Sequence, residues 1–298
     1  MKRMDLDVLH DPFGVGPLLL NNLPYKRVIT IHSLVSLVYK AYGLSANDNS
    51  LGVIAYKLMG TRIRKVDRVI AISSCIKQEL IRYLKVPEDK ITVVHHGVKE
   101  MFKPLLGEEL CSARKKYDLN QPYILYVGVL ENRKNILSLI KAYSSLREHH
   151  QINHRLLLVG PKGVGSESIF QMVEKRNLQK EVQLLGYVPL NDLPAIYNMA
   201  DIFVFPSIYE PFGLPPLEAM ACGTPVIASN TGGLPEVVDN AGILVNPLIL
   251  SEIEEAMWTL LSDDHKRKEM SNKGLARAKL FNWKTTAEAT LKIYQDLN

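Results

Sequence analysis

The sequence predicts an α/β protein in two domains, each a parallel sheet with helices on both faces. Three observations carry that reading. Short apolar runs alternate with amphipathic stretches along the whole chain, the pattern of strands joined by crossover helices. The length of 298 residues and the 47% hydrophobic content suffice for two cores. The rhythm breaks at "EMFKPLLGEELCSARKKYDLNQ" (100–121), where Pro, Gly and charges gather.

Taken in order, "RVITIH" (27–32), "DRVIAIS" (67–73) and "ITVVHHG" (91–97) read as buried strands of the first domain. "YILYVGVL" (123–130), "RLLLVG" (155–160), "VQLLGYV" (182–188), "DIFVFPS" (201–207) and "TPVIAS" (224–229) follow in the second. Helices are expected between them, for example over Ile136–Arg147 and Asp192–Met199. The linker is placed near Lys103–Pro104, which gives domains of residues 1–103 and 104–282. The final stretch, "NWKTTAEATLKIYQDLN", is a capped amphipathic helix (283–298) expected to pack back on the first domain. Ligands of such sheets collect at the carboxyl ends of the strands.

Composition removes several function classes. Cys75, Cys111 and Cys222 are few, odd in number and far apart, which excludes a disulfide framework and a Cys-based zinc site and fits a reducing cytoplasm. No apolar run is long enough to span a bilayer, and no signal peptide precedes the first strand pattern, so a cytoplasmic location is expected. Residues 1–104 hold 16 Lys and Arg against 9 Asp and Glu, whereas the remainder holds 20 against 22. That asymmetry has two readings: a generic solvated face, or an anionic partner such as the inner face of a membrane or a phosphate-bearing acceptor. The cluster Arg62, Arg64, Lys65 and Arg68 has no interleaved aromatics, which argues against nucleic acid.

Other short patterns carry less. Asp5-Leu6-Asp7 spells DxD, but precedes a strand where a metal-bound nucleotide would need it at a strand end. "GPKGVGS" (160–166) lacks the lysine of a phosphate loop and the glycine order of a dinucleotide site, leaving a tight strand-to-helix turn. His95 and His96 are adjacent on an extended segment, so they point to opposite faces and cannot chelate together. No His and carboxylate cluster has ligand spacing, and no metal site is expected.

The segment "YEPFGLPPLEAMACGTPV" (209–226) holds two glutamates, Glu210 and Glu218. Pro215 and Pro216 suit the first turn of a helix and Gly223 its end, so Glu218 falls on the helix and Glu210 in the loop before it. The amides of Phe212, Gly213 and Leu214 open that helix and form an anion site. Two carboxylates beside a bound dianion are compatible with it when they accept hydrogen bonds from hydroxyls. A ligand with phosphates in the middle and hydroxyls at both ends meets that condition. The competing reading makes Glu210 a turn residue and Glu218 a helix-dipole carboxylate. A second constellation, "YVGVLENRKNILSLIKAY" (126–143), is a strand, a turn at Gly128 and a helix opened by Arg133 and Lys134, two cations placed to neutralise a diphosphate.

Together with "YVGVLENRKN", residues 182–238 and "AGILVNP" (241–247) resemble the donor domain of retaining glycosyltransferases of family 4, which have the GT-B fold of two Rossmann-like domains. The resemblance covers roughly residues 90–298 densely. Glu210 and Glu218 match that family's E-x7-E motif. It implies that Glu210 contacts the transferred sugar, Glu218 the ribose hydroxyls, and Arg133, Lys134 and the Phe212–Leu214 amides the diphosphate. Gly128 and Tyr187 are taken with them as substrate-binding positions. Where members often carry Arg directly after the strand glycine, this chain has Val129. "ENRKN" resembles the mannosyltransferase-like branch and points to GDP-mannose.

In the first domain, "DVLHDPFGVGPLL", "RVITIHSL" and "VVHHGV" resemble the second half of the family's acceptor domain. His32 matches a histidine near the transferred sugar, and Ser33 stands where the family has Asp. The opening strand–helix unit of the family is missing before "DVLH", so the resemblance implies a truncated N-terminal domain. The implied function is transfer of a sugar from a nucleotide diphosphate sugar to a glycan or lipid-linked acceptor hydroxyl, with retention and without metal or other cofactor. The alternatives are a nucleotide-sugar-binding protein without turnover and a GT-B epimerase. Base, sugar, acceptor, linkage and oligomeric state stay open.

Overall fold

The computed structural model describes residues 6–13, 25–38 and 60–297. The chain divides into two compact units, Met1–Gly97 with Phe281–Asn298, and Val98–Leu280.

The sheet of the first unit comprises β1 (Val8–Asp11), β2 (Lys26–Ile31), β3 (Arg68–Ala71) and β4 (Ile91–Val93), in that order and parallel throughout. Val28–Ile31 of β2 are buried, as a strand covered on both faces requires. Helix Ser74–Leu84 is capped by Ser73, whose hydroxyl accepts from the Ile76 amide at 3.2 Å. The C-terminal helix Trp283–Gln295 belongs to this unit. Asn282 caps it through the Thr285 amide at 2.8 Å, and Ile293 packs into a cluster with Val28, Ile70 and Val94. Its Thr286 hydroxyl donates to the carbonyl of His95 at 2.7 Å, tying the helix to the turn after β4.

The second sheet holds β5 (Tyr123–Val127), β6 (Arg155–Val159), β7 (Val182–Gly186), β8 (Ile202–Phe205), β9 (Val226–Ser229) and β10 (Ile243–Val245). Its order is β10-β9-β8-β5-β6-β7, again all parallel. Every residue of β5, β8 and β9 is buried, whereas the outer strands β7 and β10 are mostly half-buried. Helices Ile136–His150 and Leu193–Met199 occupy the segments where amphipathic spacing predicts them.

One local difference bears on the site. Arg133 and Lys134 do not open the helix that follows β5. They lie on a single 3-10 turn, Asn132–Lys134, and Asn135 with φ 57° separates it from the helix. A left-handed residue breaks the helical hydrogen-bond ladder, and Asn tolerates that conformation better than most.

Candidate functional site

β5 and β8 are neighbours in the sheet, yet the chain leaves β5 towards β6 and leaves β8 towards β9, on the opposite side. This is the topological switch point of the second unit. Loops at such a point diverge and open a crevice at the carboxyl ends of the two strands. The loop after β5 carries Gly128, Val129, Glu131, Arg133 and Lys134. The loop after β8 carries Ser207 to Gly213 and leads into helix Leu214–Ala221.

The first loop is fixed by its neighbour after β6. The Gly128 amide donates to Val159 O, Leu130 N to Pro161 O and Gly163 N to Leu130 O, each at 2.9 Å. The approach is close enough that a Cβ on Gly160 would stand 2.0 Å from the Gly128 carbonyl oxygen. The second loop is held to the first where the Ile208 amide donates to Arg133 O at 2.9 Å. Gly213, with φ 122°, turns the chain into the helix, and a side chain there would strike Leu234.

At the centre, Glu210 Oε2 accepts from Lys134 Nζ at 2.5 Å and from Arg133 Nη1 at 3.2 Å. Arg133 also reaches the Tyr209 carbonyl at 2.8 Å and Glu131 Oε1 at 2.7 Å. Lys134 is buried, and its ammonium lies 4.9 Å from the centroid of the Phe205 ring. Burial pulls the Lys134 pKa below its ordinary value, and the Glu210 charge opposes that pull. The two cations and Glu210, assigned to different parts of a ligand from the sequence, form one charged cluster.

Glu218 has another environment. It stands on helix Leu214–Ala221, where Oε2 accepts the hydroxyl of the buried Tyr197 at 3.0 Å. Burial pushes its carboxyl pKa up to about 7, against the pull of the Tyr197 bond and the Lys99 charge. Pro215 and Pro216 in the first turn carry no N–H, so two of the donors that a helix usually presents at its start are absent. The amides of Gly213 and Leu214 stand at this opening, and the Phe212 side chain is buried in the core. Gly128 directly follows β5, while Tyr187, just after β7, is 74% exposed.

His32 lies in the first unit, just after β2. Its Nε2 is 2.6 Å from the Pro12 carbonyl oxygen and its Nδ1 is 3.2 Å from His96 Nε2. His95 turns elsewhere, onto Phe281. Of the DxD pattern, Asp5 lies outside the described residues. Among the described residues, no group of three or more His, Cys, Asp or Glu is gathered so as to hold a metal ion. No helix among them is long and apolar enough to cross a membrane.

Sequence reasoning did not single out Glu131, Tyr197 or His96 as partners of the site, nor Ser207, whose hydroxyl donates to Glu210 Oε2 at 3.5 Å. Glu131 is two residues from Arg133 and could have been read as its counter-charge. Tyr197 meets Glu218 across 21 residues of chain, and only the tertiary fold shows it.

The family profile described as Glycosyl transferases group 1 matches residues 111–277, more than half of the chain and the whole crevice. The chain belongs to this family. The profile Glycosyltransferase Family 4 matches residues 1–100 of the same glycosyltransferase-family chain. It is 37% identical over 228 residues to the O-antigen chain mannosyltransferase B of Escherichia coli, covering 76% of this chain and 60% of that protein. To the serotype-specific mannosyltransferase WbdA of Escherichia coli it is 33% identical over 278 residues, covering 91% of this chain and 34% of WbdA. The chain thus spans less than two thirds of either relative. Among solved structures, the sucrose-phosphate synthase of Thermosynechococcus elongatus superposes with a TM-score of 0.83 at 28% identity, covering 98% of this chain and 73% of that one. The α/β architecture with parallel sheets is that of GT-B glycosyltransferases.

Proposed function

We propose that the chain transfers a sugar from a nucleotide diphosphate sugar to an acceptor hydroxyl with retention of configuration, and that mannose from GDP-mannose is the donor group. The observation that carries this reading is the meeting of Arg133, Lys134 and Glu210 at the crevice between β5 and β8, with Glu218 on the helix beyond. The mannosyltransferase relatives support the choice of sugar.

In this reading the diphosphate lies over Arg133 and Lys134 and shares with Glu210 the charge of the two cations. Charge-assisted hydrogen bonds from these cations, with the Gly213 and Leu214 amides, favour the negative charge that grows on the leaving group. Glu210, released from one of its cations, accepts a sugar hydroxyl. Glu218 accepts the ribose hydroxyls. The bond between the anomeric carbon and the diphosphate oxygen breaks, the acceptor oxygen bonds to that carbon on the same face, and the departing phosphate oxygen takes the acceptor proton. With two cations at the diphosphate, the step needs no metal. His32 is assigned to the transferred sugar, and the acceptor is a glycan or a lipid-linked glycan.

A thermal-shift panel of nucleoside diphosphates and their sugars tests the reading, because a ligand that binds only the folded chain raises its melting temperature by mass action. GDP and GDP-mannose should give the largest shifts. A panel with no shift from any nucleoside diphosphate removes the proposal.

A further inference from the structure

Two side chains and a backbone carbonyl outside the charged cluster gather at the carboxyl ends of the first sheet: Pro12, which follows β1, supplies the carbonyl, His32 follows β2 and His96 follows β4. The planes of the two imidazoles are inclined by only 12° to each other, with centroids 5.2 Å apart and Nδ1 of His32 3.2 Å from Nε2 of His96. A separation of 3.2 Å between ring nitrogens is that of an N–H···N hydrogen bond, here between near-parallel rings.

The direction of the bond follows from the other end of His32. A carbonyl oxygen can only accept, so the proton between His32 Nε2 and Pro12 O, 2.6 Å apart, belongs to Nε2. A neutral imidazole protonated at Nε2 has a bare Nδ1, which can only accept. The donor to it is therefore the Nε2–H of His96. His96 is suited to stay neutral in that role: burial, then the charges of His32 and His95, push its pKa down to about 4.

His96 is itself held. Its ring packs 5.5 Å from that of Trp283, and the Thr286 bond to His95 O pins the preceding carbonyl. Gly97 lies so close to the helix start that a Cβ there would meet the Trp283 amide nitrogen at 2.2 Å.

We propose that His96 is a positioning residue for His32: by donating to Nδ1 it fixes the ring and its tautomer, so that His32 offers a ligand one group, the Nε2–H. His32 then serves as a hydrogen-bond donor to an oxygen of the bound sugar, in competition with Pro12 O, and not as a base. The consequence for transfer rests on the reading that places His32 at the sugar. The tautomer itself does not.

The test uses the full chain labelled with 15N in histidine. At neutral pH both rings should show Nε2–H tautomers, and a scalar coupling should cross the hydrogen bond between His32 Nδ1 and His96 Nε2. His96→Phe keeps a ring but removes the donor, whereas His96→Gln keeps an N–H. In transfer assays the Phe variant should lose about tenfold or more in kcat with donor KM within about twofold, and the Gln variant should recover most of that loss. A His32 ring protonated at Nδ1, or an absent coupling, overturns the proposal. Equal kcat in the Phe and Gln variants, both folded by thermal melt, overturns the positioning role. If His32→Ala transfers sugar normally, His32 is not at the sugar, and the claim about transfer falls while the coupling still decides the tautomer.

Discussion

The Lys134 ammonium lies 2.5 Å from the Glu210 carboxylate, and the two side chains are only 8% and 14% exposed. Glu210 shares the same oxygen with Arg133. A cation so enclosed is held charged by its partner, and the partner is the carboxylate assigned to the sugar. The two cations proposed to hold the diphosphate therefore already have an anion of the chain itself beside them.

The cations should be separable from the rest of the ligand. Lys134→Ala and Arg133→Ala are each expected to weaken nucleoside diphosphate binding by about 1–3 kcal/mol, the range for charge-assisted bonds. Binding of the free nucleoside should barely change. With two cations doing this work, EDTA should alter diphosphate affinity by less than about twofold. Titration calorimetry of both ligands checks these points, and an equal loss for the nucleoside would place the cations elsewhere.

Glu218 sets a pH dependence. Burial pushes its carboxyl pKa up to about 7. Hydroxyls of a ribose donate most strongly to the ionised form, so binding should favour loss of the proton. Nucleoside diphosphate affinity should rise as pH climbs through about 7, with a proton released on binding below it, and Glu218→Gln should abolish both. The stability linkage runs the opposite way. A carboxyl whose folded pKa lies above its unfolded one contributes stability below the unfolded pKa, near 4.5, that is lost as pH rises towards 7. Calorimetry in buffers of different ionisation heat counts the proton. Uptake where release is expected would contradict the role of Glu218.

Much of the architecture was legible because a parallel sheet covered on both faces needs unbroken apolar runs, and β5, β6, β8 and β9 are such runs. The outer strand β10 has three residues and only one buried, which is too little for a periodic signal. Glu210 and Glu218 could be found from their setting around a helix start. Their partners could not: the Lys134 bond spans 76 residues of chain and the His32–His96 bond 64. The expectation that Arg133 and Lys134 open a helix failed on one residue, Asn135, whose left-handed backbone separates their 3-10 turn from the helix and leaves no periodic signal in the sequence.

The join between the C-terminal helix and the turn after β4 gives a stability prediction. In Gly97→Ala the new Cβ would meet backbone atoms of Asn282 and Trp283 at 2.2–2.9 Å, which cannot rotate away. A loss above about 2 kcal/mol is expected, the range for forced overpacking. Gly107→Ala, where no atom lies within 4 Å of the added carbon but φ is +70°, should cost about 1 kcal/mol through backbone strain alone. Urea denaturation of the two variants orders them, and equal losses would mean that the helix start yields.

The central claim is that Glu210 and Glu218 serve opposite ends of one ligand. Calorimetry of GDP and GDP-mannose on Glu210→Gln and Glu218→Gln tests it most directly. Glu218→Gln should weaken both ligands by about tenfold or more, as expected when a carboxylate that accepts hydroxyls is lost. Glu210→Gln should leave GDP unweakened or tighter, since the cations lose their internal anion, and should weaken GDP-mannose relative to GDP. Equal losses for both ligands in both variants would mean that the two carboxylates act as one unit, and would contradict the account.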